Sequence, residues 1–262
     1  MVMDLLIAIT VVWLIAASVT DFKKREVSDW LSFSLIAIAL AVRSAESIIQ
    51  NNPTPILTSL TGLAIFFIIA IVMYYCKLFA GGDVKLLSAL GAVIPSMDFL
   101  SNILVAGSVY GLAYSVILAL MNFRNFYSEL KKNKDLFLIS IMVSMILFAG
   151  YLFTSNIFLL LLVISALSII LIFIFVNSVE KSCLIKMVSP AKLMEGDWLL
   201  KDVRAGGKTV KANFEGVTKK EIAMIKSYGK KVWVKYGIPF IPVFLLALML
   251  TILFGNIFTV FI

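Results

Sequence analysis

The chain has 262 residues, 61% of them hydrophobic, with a mean hydropathy of +1.05 and a formal net charge of +8. That hydropathy excludes a large soluble domain and points to a polytopic membrane protein, since each crossing needs roughly 20 apolar residues to pass a ~30 Å hydrocarbon core. With no histidine and only two cysteines, the chain offers no tetrahedral zinc set, no CxxC pair and few acid–base groups other than carboxylates. Cys76 and Cys183 are expected to be reduced bystanders, and neither a metal nor a cofactor is expected.

In chain order, apolar runs lie at 5–19, 30–49, 56–75, 84–95, 103–121, 136–153, 157–176 and 238–258. They predict an all-α polytopic membrane protein of about eight transmembrane helices, with a small α+β cytosolic insert before the last. The first run follows Met1-Val2-Met3-Asp4, with no basic residue ahead of it and no small-residue cleavage site behind. It reads as a retained span, not a removable signal peptide. The run closes on Asp21, in Val19-Thr20-Asp21-Phe22-Lys23-Lys24-Arg25. The fourth run opens on Asp83, in Ala80-Gly81-Gly82-Asp83-Val84-Lys85; it is short, ends at Pro95, and needs shelter from neighbouring helices. Gly107-Ser108-Val109-Tyr110-Gly111 is a helix-packing pattern.

Four regions follow: 1–122, a membrane block holding both aspartates; 123–177, a basic loop and two further spans; 178–237, the insert; and 238–262, the C-terminal transmembrane helix. In the insert, 198–203 and 210–214 alternate as strands, with Gly206-Gly207 as a turn between them. Thr218-Lys219-Lys220-Glu221 is a capping box for a short helix that Gly229 would stop. Val232-Trp233-Val234 predicts a third strand.

Charge sets the orientation. Alternating the spans gathers 22 of the 23 Lys and Arg residues into one set of loops, which the positive-inside rule makes cytoplasmic. Both termini are then outside a cell membrane. Arg43 is the exception, and near a span end it is expected to snorkel. The insert, with 13 basic and six acidic residues, is expected to favour anionic membrane lipids. Without an aromatic–basic groove pattern, no nucleic-acid binding is expected.

This topology puts Asp21 and Asp83 at the same boundary. Two carboxylates about a hydrogen bond or one water apart share a single proton, so one activates water while the other donates to a peptide carbonyl. Each residue also has a plainer role open to it. Asp83 suits a helix N-cap after two chain-breaking glycines, and Asp29 suits the cap of the second span. Asp21 has less to recommend it structurally, because the macrodipole disfavours a carboxylate at a helix C-terminus. Gly81 and Gly82 fit either a plain turn or the approach of a substrate backbone. Pro239, in Gly237-Ile238-Pro239-Phe240-Ile241-Pro242, suits the first position of the last helix or a role in leaving backbone groups free beside the dyad.

The segment from Asp21 to Asp29, the Ala80–Lys85 motif and the Gly237–Pro242 segment together resemble the type IV prepilin peptidases. The archaeal branch, which includes the preflagellin (prearchaellin) peptidases, is the more similar; both fall in the wider GxGD class of intramembrane aspartyl proteases. The resemblance implies that Asp21 and Asp83 are the catalytic pair. It also implies cleavage of class III signal peptides from prepilins, prearchaellins or pseudopilins at the cytosolic face. Ala80 departs from the family pattern, which has glycine there. The cysteine-bearing domain of the bacterial relatives has no counterpart, so a peptidase without N-methyltransferase activity is expected. Glu26 and Asp29, in the same short loop, are expected to meet the basic leader of a substrate, with Gly81, Gly82 and Pro239 lining its path. A proton- or cation-coupled transporter and a non-catalytic pilus or archaellum assembly factor are the rival readings.

Overall fold

The computed structural model describes residues 2–24, 27–205, 208–213 and 216–260. The membrane helices are α1 (Val2–Lys24), α2 (Asp29–Ile49), α3 (Thr54–Tyr75), α4 (Gly81–Val93), α5 (Met97–Met121), α7 (Lys134–Thr154), α8 (Ile157–Val179) and α10 (Ile241–Phe254). A short helix α6 (Phe123–Lys132) joins α5 to α7, and α11 (Ile257–Val260) follows α10. Every predicted apolar run therefore folds as a helix, in a multi-pass membrane protein. Six of them, α1, α2, α3, α5, α7 and α8, have the length to cross a membrane by themselves. The other two are shorter: α4 has 13 residues and stops before Pro95, and α10 has 14 and stops at Gly255.

The chain divides into two compact units, 1–111 with 213–216 and 237–262, and 112–212 with 217–236. In the first, α4 is the centre, and every residue from Leu86 to Val93 is buried. It packs against α2 and α3 in a core that includes Leu35, Phe66, Leu87, Leu90, Phe244 and Leu248. This is the shelter that the short helix requires. Two glycines set how closely α3 and α4 approach: a Cβ on Gly62 would run into the Gly91 carbonyl oxygen and Pro95, and one on Gly91 would lie 2.5 Å from the Cβ of Phe66. Of the predicted packing pair, Gly107 lies against Phe240 while Gly111 faces open space.

Arg43 does not snorkel. It is 7% exposed, donates from Nη2 to the Val93 carbonyl at 3.2 Å, and pairs through Nη1 with Glu46 at 3.0 Å. A cation at the carboxyl end of α4 satisfies a terminal carbonyl and complements the helix dipole. Ser59 adds a hydrogen bond from its hydroxyl to the Ala92 carbonyl at 2.7 Å.

In the second unit, α7 and α8 form an antiparallel hairpin, and α6 lies against α8 through Phe126 and Phe175, with ring centroids 5.6 Å apart. A π-turn, Glu180–Leu184, leads into the insert. There β1 (Ile185–Val188) and β2 (Trp198–Leu199) flank β5 (Val232–Lys235) in an antiparallel sheet, with Val188 opposite Val232 and Leu199 opposite Val234. A hairpin of β3 (Val203–Ala205) and β4 (Lys208–Val210) and the helix α9 (Lys219–Tyr228) complete it. The capping box of α9 forms as predicted: the Thr218 N–H donates to Glu221 at 2.8 Å, and Gly229 ends the helix at φ 73°. Two strand bounds differ from expectation. The 198–203 run breaks into β2 and the start of β3, and the strand expected at 210–214 lies at Lys208–Val210 instead, with 211–213 outside it. Strand β1 was not foreseen, because Ile185-Lys186-Met187-Val188 shows no clean alternation. The expected turn residues Gly206 and Gly207, and Phe214 of the expected second strand, lie outside the described residues.

Candidate active site

Asp21 stands in the last turn of α1 and is 7% exposed. Its Oδ2 accepts the backbone N–H of Ile241, the first residue of α10, at 3.1 Å. The sequence explains why that donor is available. A helix start leaves its first N–H groups without intrahelical acceptors, and Pro242, next in line, has no N–H. The amino end of α10 thus offsets the unfavourable place of Asp21 at the carboxyl end of α1.

Asp83 is the third residue of α4 rather than its N-cap, which is Ala80. Its Oδ2 accepts the Ala80 N–H at 2.9 Å, so the carboxylate reaches back over the helix start. Helices α1 and α4 pack against each other, and the two carboxylates, far apart in sequence, each hold a backbone amide at a helix start.

The remaining candidates divide. Gly82 is tightly placed: a Cβ there would lie 3.3 Å from the Cβ of Val27, so this glycine lets the loop after α1 approach α4. Gly81 has open space about it. Asp29 is not the cap of α2, since Ser28 holds that position. Asp29 instead pairs with Lys85 at 2.6 Å, both side chains being largely in solvent. Lys85 also lies 5.9 Å over the Phe33 ring. Pro239 is buried in the loop before α10 and is not its first residue; Pro242 occupies the first turn instead. Glu26 lies outside the described residues.

Reasoning from sequence missed the Ile241 amide, Lys85 and a cluster of three phenylalanines. Phe79 sits 5.2 Å from Phe240 and 6.2 Å from Phe244, centroid to centroid. The cluster joins the segment before Ala80 to the start of α10, the two places that supply the aspartates with donors. Its signal was position alone: Phe79 directly precedes Ala80-Gly81-Gly82-Asp83, and Phe240 lies between Pro239 and Pro242. Among the described residues, no three Cys, Asp or Glu side chains converge to form a metal cage.

Residues 8–116 match the Type IV leader peptidase family. The match includes the end of α1 and the whole of α4, and therefore both aspartates. Among curated proteins, the chain is similar to the preflagellin peptidase of Methanococcus voltae, 35% identical over 92 residues, covering 35% of this chain and 39% of that protein. It is likewise 32% identical over 87 residues to the preflagellin peptidase of Methanococcus maripaludis, and 31% over 85 residues to that of Methanocaldococcus jannaschii, each alignment covering 32% of this chain and 36% of the relative. The aligned part thus spans less than two-fifths of these relatives.

Proposed function

We propose that this chain is an aspartic endopeptidase that removes class III signal peptides from prepilins, prearchaellins or pseudopilins at the cytosolic face of the cell membrane, with both termini outside. One observation carries the reading: Asp21 and Asp83, on the packed helices α1 and α4, each accept a backbone amide at a helix start, Asp21 from the first residue of α10. The similarity of 8–116 to leader peptidases supports it.

The pair titrates as a unit and holds one shared proton. Its ionised member takes a proton from water as the oxygen attacks the scissile carbonyl. Its protonated member donates to the carbonyl oxygen, stabilising the tetrahedral intermediate. That intermediate collapses with proton transfer to the leaving amine, and the pair is ready for another water. Gly81, in open space, leaves room for a substrate backbone beside Asp83. The buried Pro239 helps shape the segment that presents the Ile241 amide. Asp29, and Glu26 in the same loop, meet the basic leader. N-methylation is not part of the proposed activity.

The test is cleavage of a purified precursor, carrying a basic leader ahead of an apolar helix, by the purified full chain. Asp21→Asn and Asp83→Asn should each lower the rate by roughly 10²-fold or more, with membrane insertion intact. Near-normal processing by either variant would sink the two-aspartate mechanism.

A further inference from the structure

The second unit carries a cleft of about 330 Å³, lined by Glu129, Lys181, Ile185, Leu200, Lys201 and Trp233. The end of α6, the π-turn after α8 and the sheet of the insert meet there. Its charges are arranged unevenly. Glu129 is held by Lys132 at 2.5 Å, and Glu180, next to Lys181, is held by Lys235 at 2.7 Å. Neither Lys181 nor Lys201 has a carboxylate partner among the described residues. Two uncompensated ammonium groups therefore border a wall made of Ile185, Leu200 and Trp233, the last two each 41% exposed.

Position narrows the ligand. Lys181 lies in the first turn after Val179, where the apolar α8 ends, so the cleft opens at the level at which that span leaves the hydrocarbon. Tryptophan with an exposed apolar face and lysine with a free ammonium are the side chains that favour this layer. A small soluble anion would use the lysines and leave the apolar wall in water. A headgroup phosphate with its glycerol and first methylenes would use both.

We propose that this cleft binds the phosphodiester headgroup of an anionic phospholipid, with Lys181 and Lys201 on the phosphate and Trp233 and Leu200 against the apolar part. The site is independent of the aspartate pair. It turns the insert's general basic character into one place with a defined ligand.

The full chain in nanodiscs of mixed phosphatidylglycerol and phosphatidylcholine, released for native mass spectrometry, should retain phosphatidylglycerol preferentially. Lys181→Gln with Lys201→Gln should weaken that retention by roughly fivefold per lysine, and the two Lys→Arg changes should preserve it. Lys211→Gln with Lys231→Gln removes the same charge elsewhere on the insert and should change nothing. The fluorescence lost in Trp233→Phe should respond to phosphatidylglycerol in the wild type and not in the Lys181→Gln, Lys201→Gln variant. Unchanged retention in that variant overturns the site, as does an equal loss in the Lys211, Lys231 control. Displacement of the lipid by excess inorganic phosphate would identify a soluble anion as the ligand and overturn the lipid assignment.

Discussion

Asp29 and Lys85 meet at 2.6 Å beside Asp83, with side-chain exposures of 63% and 40%. A pair this open to solvent contributes only ~0.2–1 kcal/mol, so it cannot be what holds the loop after α1 in place. It does occupy the Asp29 carboxylate, which is proposed to meet a substrate's basic leader. If Asp29 meets that leader, Lys85 competes with the substrate for it. Lys85→Gln should then lower KM, and Asp29→Asn should raise it, each most at low salt and with kcat little changed. Steady-state cleavage at two ionic strengths checks this. A pair that served only as a brace would leave KM alone and lower thermal stability slightly in both variants. At this scale the sequence was legible where a side chain bears the signal: Asp21 and Asp83 stood out by position. The partner that fixes Asp21 did not, because the Ile241 donor is a backbone amide with no residue signature, freed by the start of a helix whose exact first residue the prolines left open.

The short helix α4 carries Asp83 at one end and is anchored at the other. Arg43 bonds the Val93 carbonyl there while its guanidinium neutralises Glu46, both side chains being nearly buried at 9% and 14% exposure. Arg43→Leu leaves the Val93 carbonyl unpaired and the nearly buried Glu46 with only the Gln50 amide, at 3.2 Å, as a partner, a loss of up to about 3–5 kcal/mol for a broken buried pair. Adding Glu46→Leu should recover part of it, which a thermal melt in detergent would measure. Along the helix, Gly62 and Gly91 hold α3 and α4 together where any Cβ would meet backbone. Gly62→Ala should therefore destabilise by about 1–3 kcal/mol or more through overpacking, whereas Gly111→Ala, in open space, should be near neutral. Equal melting temperatures for those two variants would refute the close-approach account. The sequence foretold that α4 needs shelter, from its length and Pro95. It did not foretell which glycines provide the approach: the GxxxG spacing drew attention to Gly107 and Gly111, while the contact is made by two glycines on different helices, which spacing along one chain cannot reveal. Nor did it give Arg43 its role, since a lone arginine near a span end looks alike whether it reaches water or a helix terminus.

For the whole molecule, the orientation rests on the placement of 22 of 23 basic residues in alternating loops. Arg43 ceases to be an anomaly in that pattern once its charge is spent on α4 and Glu46 inside the fold. The short helices make the parity worth testing directly. At 1.5 Å per residue, α4 and α10 rise only about 20 Å, against a hydrocarbon core of ~30 Å, so each could enter the membrane without reaching its far side by itself. If α4 fails to carry the chain across, every loop from α5 onward changes side, and the basic loops at 123–134 and in the insert become external. Single cysteines in a background lacking Cys76 and Cys183 distinguish the cases. With eight crossings, Lys131→Cys and Lys211→Cys should react with a membrane-impermeant maleimide only in inverted vesicles, and Asn52→Cys and Thr154→Cys only in intact cells. Asn52 and Thr154 are preferable to Asn51 and Ser155, which hold positive φ angles of 47° and 51°. The decisive result is the side of Thr154 relative to Asn52. Labelling from the same side means that α4 completes its crossing with the help of its neighbours and that the aspartates share a face with the insert. Labelling from opposite sides would place the insert outside and remove the charge argument for cytosolic cleavage.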